Sequence, residues 1–205
     1  MSEYTKILVL DAEIENAIHK KGEEIHPGIK YCNGWRDFQG MGLTVVGGWQ
    51  SISNRFRTFG SGRNLTGLQE AIDESDYVMT FNGISFDGPL LAEHGAVIPD
   101  EKHLDLLVLI WEAHRLGAKF NPSSHGGYGL DACAKANSLP GKTGNGALAP
   151  VWWQQGRYCE VIDYCLQDVW ITTQLLCKAT AGQLVSPKTG QRIHLKLPPM
   201  TFPLL

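Results

Sequence analysis

Four acidic side chains and one tyrosine carry the chemistry this sequence offers. Asp168 stands within "YCLQDVWITT", residues 164–173. At 3.6 residues per turn it shares a helix face with Val161, Cys165, Thr172, Leu175 and Leu176. Glu160, Asp163, Gln167, Gln174 and Lys178 fall roughly opposite, and Tyr164 sits one turn before Asp168 on the apolar face. An ionised carboxylate aimed at a core is costly unless it is paired or bound to a cation. Asp11 and Glu13, two apart at the end of a strand, share one face while Ala12 points to the other. Asp87 opens a helix after a later strand, at the carboxyl edge where open α/β sheets hold their sites. Oxygen ligands alone suit Mg²⁺ or Mn²⁺ rather than zinc. Two such ions, about 3.5–4 Å apart, can hold the attacking and leaving oxygens of an in-line phosphoryl displacement. Cations would also relieve the repulsion among four clustered carboxylates.

These residues need elements to position them. "KILVLDAE" predicts a strand over residues 6–12. Residues 14–41, with no sustained period, predict an irregular insertion. "GLTVVGGWQ" and "NRFRTFG" predict a hairpin, and "NLTGLQEAIDES" a helix capped by Asn64. "YVMTFNG" reads as a fourth strand, followed by a short helix in "FDGPLLAEHG". "HLDLLVLIWEAHRL" suits a helix, or a brief strand and then a helix. "YGLDACAKANSLPGKTGNG" reads as a helix ending in a glycine-rich loop, and residues 158–180 as one long helix. "QLVSPKTGQRIHLKL" predicts a terminal β-hairpin over 183–197. Hairpins followed by strand–helix alternation give a mixed α/β sheet flanked by helices, in one domain over 1–205 with its core at 5–180.

"DAE" (11–13), "FNGISFD" (81–87) and "YCLQD" (164–168) resemble, in order and spacing, the three motifs of DEDDy 3′–5′ exonucleases. The likeness is to proofreading exonuclease domains of family B DNA polymerases and their stand-alone bacterial and phage relatives, and it spans about residues 5–180. A DxE alone is weak; all three motifs in order, the third on a helix, are specific. The resemblance implies an RNase H-like fold, with Asp11, Glu13, Asp87 and Asp168 as ligands of two Mg²⁺ or Mn²⁺ ions. It implies that Tyr164 orients the attacking water, and that Asn82 and Phe86 lie near the terminal nucleotide. The sibling DEDDh class has histidine five positions before the last aspartate; here that residue is Asp163. The implied function is release of nucleoside monophosphates from single-stranded 3′ ends, DNA ahead of RNA. A catalytically silent nucleic-acid-binding module, or an RNase H-like endonuclease, is the alternative.

Other features carry competing readings. Asp105 suits a helix cap or ion pair better than a fifth ligand, and His103, His114 and His125 lack ligand spacing. "LPGKTGNG" is not a Walker loop, because Ala136 occupies the place of the first glycine; Lys142 remains a candidate contact to a substrate phosphate. Trp152 and Trp153 suit core packing ahead of base stacking. Five cysteines without a CxxC pair suggest neither a disulfide framework nor a zinc site. A net charge of −3 argues against a basic coat for nucleic acid and leaves local clusters, Arg55, Arg57 and Arg63 or Lys20 and Lys21, as candidates for a groove. No run of eighteen apolar residues occurs, and "MSEYTKILVLD" lacks a secretory layout, so a cytoplasmic protein without membrane contact is expected.

Overall fold

The structure, a computed structural model, describes residues 4–19, 22, 25–60, 65–141 and 146–202. Its sheet is built from β1 (Ile7–Glu13), β4 (Val45–Gln50), β5 (Arg55–Phe59), β6 (Tyr77–Thr80) and β7 (His103–Asp105), in the order β5-β4-β1-β6-β7. Pairing is antiparallel for β5–β4 and β4–β1, and parallel for β1–β6 and β6–β7. The central β1 alternates between two cores, as a strand covered on both faces must. Leu8, Leu10 and Ala12 pack with α2 (Thr66–Glu74) and α3 (Asp87–Glu93) through Leu68, Ile72, Leu90 and Leu91. Ile7 and Val9 pack on the other side with α4 (Leu106–Ala113), α5 (Leu130–Ala136) and the long α7 (Tyr158–Thr180).

Gly47 governs how closely α7 lies on the sheet. It pairs with Asp11 across β4–β1, and a Cβ there would stand 2.9 Å from Cys165 Sγ and 3.1 Å from Val169 Cγ2. A bare backbone at this position lets α7 settle against β4, which brings its Tyr164–Asp168 face level with the end of β1.

The expected mixed α/β architecture is present, with several local differences. The insertion after β1 is less irregular than its sequence suggests. It holds a short parallel pair, β2 (Ala17–Ile18) and β3 (Tyr31–Cys32), and a one-turn helix α1 (Phe38–Met41) whose Asp37 cap accepts the Gly40 N–H. "HLDLLVLIWEAHRL" divides into β7 and α4, because Asp105 caps the helix by accepting from Leu107 N and Val108 N. A further helix, α6 (Ala149–Gln154), precedes α7; Trp152 meets the Tyr164 ring edge-on at 6.3 Å, and Trp153 packs on Tyr158. The terminal hairpin over 183–197 contracts to one antiparallel bridge, Val185 with Arg192, around a turn in which Ser186 N donates to Gln191 O. Asn137, the residue after α5, ties this turn to the helix: its amide donates to Val185 O and its Oδ1 accepts from Val185 N, the backbone groups that face away from Arg192. Helix α2 begins at Thr66 with Leu65 in the cap position, and the expected cap Asn64 lies outside the described residues. Among the described residues no helix is long and apolar enough to cross a membrane.

Candidate active site

Three elements deliver carboxylates to one place. At the end of β1, Asp11 and Glu13 face α7 while Ala12 joins the opposite core. The Ala12 N–H donates to Asp87 Oδ1 at 3.0 Å, so the strand that carries two acids also anchors the third. Asp87 occupies the first turn of α3, where the positive end of the helix dipole favours a carboxylate. Asp168 and Tyr164 descend from α7, buried at 3% exposure each. All five residues line one cavity of about 640 Å³, together with Asn82 and Phe86.

The loop between β6 and α3 is held by Asp105. Its carboxylate accepts from Asn82 N at 2.9 Å and Ile84 N at 3.0 Å, besides capping α4. Four backbone N–H groups account for this buried charge, and Asp105 does not line the cavity. Asn82 adopts φ 70°, a left-handed conformation that asparagine tolerates. Gly83 follows, and a Cβ there would collide with the Thr80 side chain, so a glycine is required for the loop to turn back. Phe86 then meets Trp35 at 6.4 Å and Phe38 at 6.3 Å, edge to face, at the cavity wall.

The electrostatics of the site call for positive charge. Burial pushes the Asp87 carboxyl up to about 7, opposed by the Ala12 N–H and reinforced by the charges of Asp105 and Asp168. The one cation among the described lining residues, Lys135 on α5, is paired with Asp131 at 2.6 Å. Carboxylates from β1, α3 and α7 therefore fit hard divalent cations, which oxygen donors favour. Cys165, expected only as core, lies with its sulfur within 4.8 Å of carboxylate oxygens of Asp11 and Glu13. Burial and the two acids push its thiol well above the ordinary range, and it donates to Asp11 O.

The remaining expectations resolve unevenly. Lys142, Arg63, Lys20 and Lys21 lie outside the described residues. Arg55 and Arg57 are on the sheet-edge strand β5 and line neither this cavity nor its neighbour, with the Arg57 guanidinium over the Phe59 ring. Trp152 and Trp153 pack against α7, as their sequence context suggested, and line neither cavity. His103 is bonded to Thr80 Oγ1 between β6 and β7, and His125 to Ser124 Oγ and Gly117 O, both structural roles. Sequence reasoning missed Trp35, Asp131 and Lys135. Trp35 lies in a stretch without periodicity, whereas the i,i+4 spacing of Asp131 and Lys135 was a signal available in the sequence.

Comparisons with known proteins bear on the fold. No curated protein matches the chain in sequence. Seventy solved chains match in structure. One is the family B DNA polymerase from the hyperthermophilic archaeon Pyrobaculum calidifontis, with a TM-score of 0.58 and 18% identity over 87% of this chain. The aligned region is 25% of the polymerase chain, so this protein spans about a quarter of its length and the likeness concerns the fold. The family model RNase_H_2, of the RNase_H superfamily, matches residues 40–180, a stretch that includes Asp87, Tyr164 and Asp168 and begins beyond β1. With a match over most of its length and the mixed five-stranded sheet described above, the chain belongs to the RNase H superfamily.

Proposed function

We propose that this protein is a divalent-metal-dependent 3′–5′ exonuclease that hydrolyses single-stranded nucleic acid, DNA in preference to RNA, and releases nucleoside monophosphates. The observation that carries this reading is the convergence of Asp11, Glu13, Asp87, Asp168 and Tyr164 on one cavity large enough for a nucleotide. The structural likeness to a DNA polymerase supports the choice of DNA.

Asp11, Glu13, Asp87 and Asp168 would hold two Mg²⁺ or Mn²⁺ ions, which when bound supply Lewis-acid stabilisation of the attacking and leaving oxygens. The protein's own groups do the positioning. Asn82 and Phe86 bound the space for the terminal nucleoside, the ring of Phe86 being braced by Trp35 and Phe38. The Tyr164 hydroxyl holds the water that attacks phosphorus, and the bond to the 3′-oxygen breaks to leave a 5′-monophosphate and a shortened strand. Gly146 keeps that hydroxyl accessible, since a Cβ there would lie 3.2 Å from it. Lys142, near in sequence to Gly146, is the candidate contact to the substrate phosphate.

The test is cleavage of end-labelled single- and double-stranded DNA and RNA with Mg²⁺, Mn²⁺ or EDTA. A ladder of 3′-shortened single strands that EDTA abolishes is expected. Internal cuts would make the protein an endonuclease, and binding without cleavage would make it a silent module.

A further inference from the structure

Helix α5 presents one side to the acidic cavity. Its sequence LDACAKA buries Leu130, Cys133 and Ala134 in the core, and sends Asp131 and Lys135, one turn apart, to the cavity wall. Their pairing at 2.6 Å is of the i,i+4 kind and adds little to the stability of a seven-residue helix. Its place in the fold sets it apart. Among the described lining residues the cavity has five carboxylates, Asp11, Glu13, Asp87, Asp131 and Asp168, and one cation, Lys135.

The end of the helix that carries Lys135 is fixed from two sides. Asn137 bonds both backbone groups of Val185. Gln167 Nε2, on α7 next to Asp168, donates to Gly141 O at 3.0 Å. Gly141 lies against the pair, since a Cβ there would stand 2.7 Å from Asp131 Oδ1 and 3.3 Å from Lys135 Cε. Bare backbone at this point leaves the ammonium room to move. The Lys135 side chain is 67% exposed and that of Asp131 40%, so the acid is the more covered partner and the cation the more accessible one.

We propose that Lys135 binds the terminal phosphate of the substrate: Asp131 holds the ammonium until a strand or its 5′-monophosphate product enters, and a non-bridging phosphate oxygen then takes it over. The proposal rests on the exonuclease reading and goes beyond it by naming the cation that meets the phosphate and the acid it leaves. Charge supplies the reason. Metal ions neutralise the four other acids, whereas a phosphate arriving beside Asp131 meets a carboxylate of its own sign. Passing Lys135 from one anion to the other keeps a charge-assisted hydrogen bond at both ends of the exchange. A lysine suits this step, because its ammonium is a point charge on a flexible stem with rotatable donors.

Deoxynucleoside 5′-monophosphate in Mg²⁺ provides the test, its binding read by equilibrium dialysis and its inhibition of cleavage read in the reaction. Lys135→Ala should weaken both about 5- to 100-fold, the range of one charge-assisted hydrogen bond. Lys135→Arg, which keeps the charge, should recover most of the loss. The matching nucleoside, which has no phosphate, should bind wild type and Lys135→Ala alike. Asp131→Asn should tighten monophosphate binding about 2- to 5-fold, and the gain should vanish in the double variant with Lys135→Ala. Equal monophosphate affinity in wild type and Lys135→Ala would overturn the contact. A gain from Asp131→Asn that persists in full without Lys135 would overturn the exchange, because the acid would then act through its own charge alone. Monophosphate binding that depends on Lys135, in a protein that shortens no strand, would overturn the exonuclease reading and leave the contact standing.

Discussion

Asp87→Asn separates the cost of the buried acid from its service. The amide keeps an oxygen for the Ala12 N–H, removes the charge and puts an NH2 group in place of the second oxygen. Asp87 is 4% exposed, and burial raises its pKa from 3.8 to about 7, with Asp105 and Asp168 adding to the shift. In the unfolded chain the carboxyl loses its proton near pH 4. In the metal-free folded chain it keeps the proton up to about pH 7. Between those values the folded state binds more protons, so this group's contribution to stability falls as pH rises and stays at its lower level above 7. A shift of about three pK units corresponds to up to about 4 kcal/mol at pH 8. For a chain of this size that is a melting-temperature difference of roughly 10 °C. Metal-free Asp87→Asn should therefore melt above wild type at pH 8, and the gap should narrow steadily toward pH 5, where the wild-type carboxyl is already neutral. Saturating Mn²⁺ should raise the wild type at pH 8 far more than the variant, because an ion that binds only the folded state stabilises it. Differential scanning calorimetry across pH, with EDTA and then Mn²⁺, reads both effects. A gap that does not vary with pH, or a metal-free variant melting below wild type at pH 8, would refute the reasoning.

Four further outcomes are expected. Tyr164→Phe should lower kcat about 10- to 1000-fold with substrate binding nearly intact, while Asp163→Asn, on the exposed face of α7, should change kcat no more than a few-fold; the reverse pattern in single-turnover kinetics would displace the tyrosine from its assigned role. Titration calorimetry with Mn²⁺ should show apparent affinity falling below about pH 7, by up to about tenfold per pH unit for each proton the ion displaces from Asp87; a flat profile would exclude that carboxyl as a ligand. Asp105→Ala removes the acceptor for four backbone N–H groups and should cost at least about 2 kcal/mol in urea denaturation, with activity reduced through the loop that carries Asn82 and Phe86. Reversing Arg55 and Arg57 to Glu should leave cleavage at low salt within a few-fold of wild type, since β5 lines neither cavity, and a large loss would place the strand along the β5 edge after all.

The positions of the candidate acids were legible in the sequence because each sits in a local pattern that burial enforces. Alternation along β1 sends Asp11 and Glu13 to one face and Ala12 to the other, and the 3.6-residue stripe of α7 carries Tyr164 and Asp168 inward together. Such periodicities are set by one element lying against one surface, so a single segment contains them whole. What lies between elements has no such signature. Whether "HLDLL" starts a helix or ends a strand depended on the Asn82 and Ile84 N–H groups arriving from another loop to meet Asp105. The terminal turn is anchored by Asn137, whose side chain bonds both backbone groups of Val185 across 48 residues of sequence. A cavity of about 1150 Å³ beside the acidic one is lined by residues near 35 and near 120 together with Phe81 and Phe86, segments that no single periodic stretch contains. Local sequence specifies which face a side chain takes on its own element; which faces meet, and what space they enclose, is determined by contacts between segments far apart in the chain.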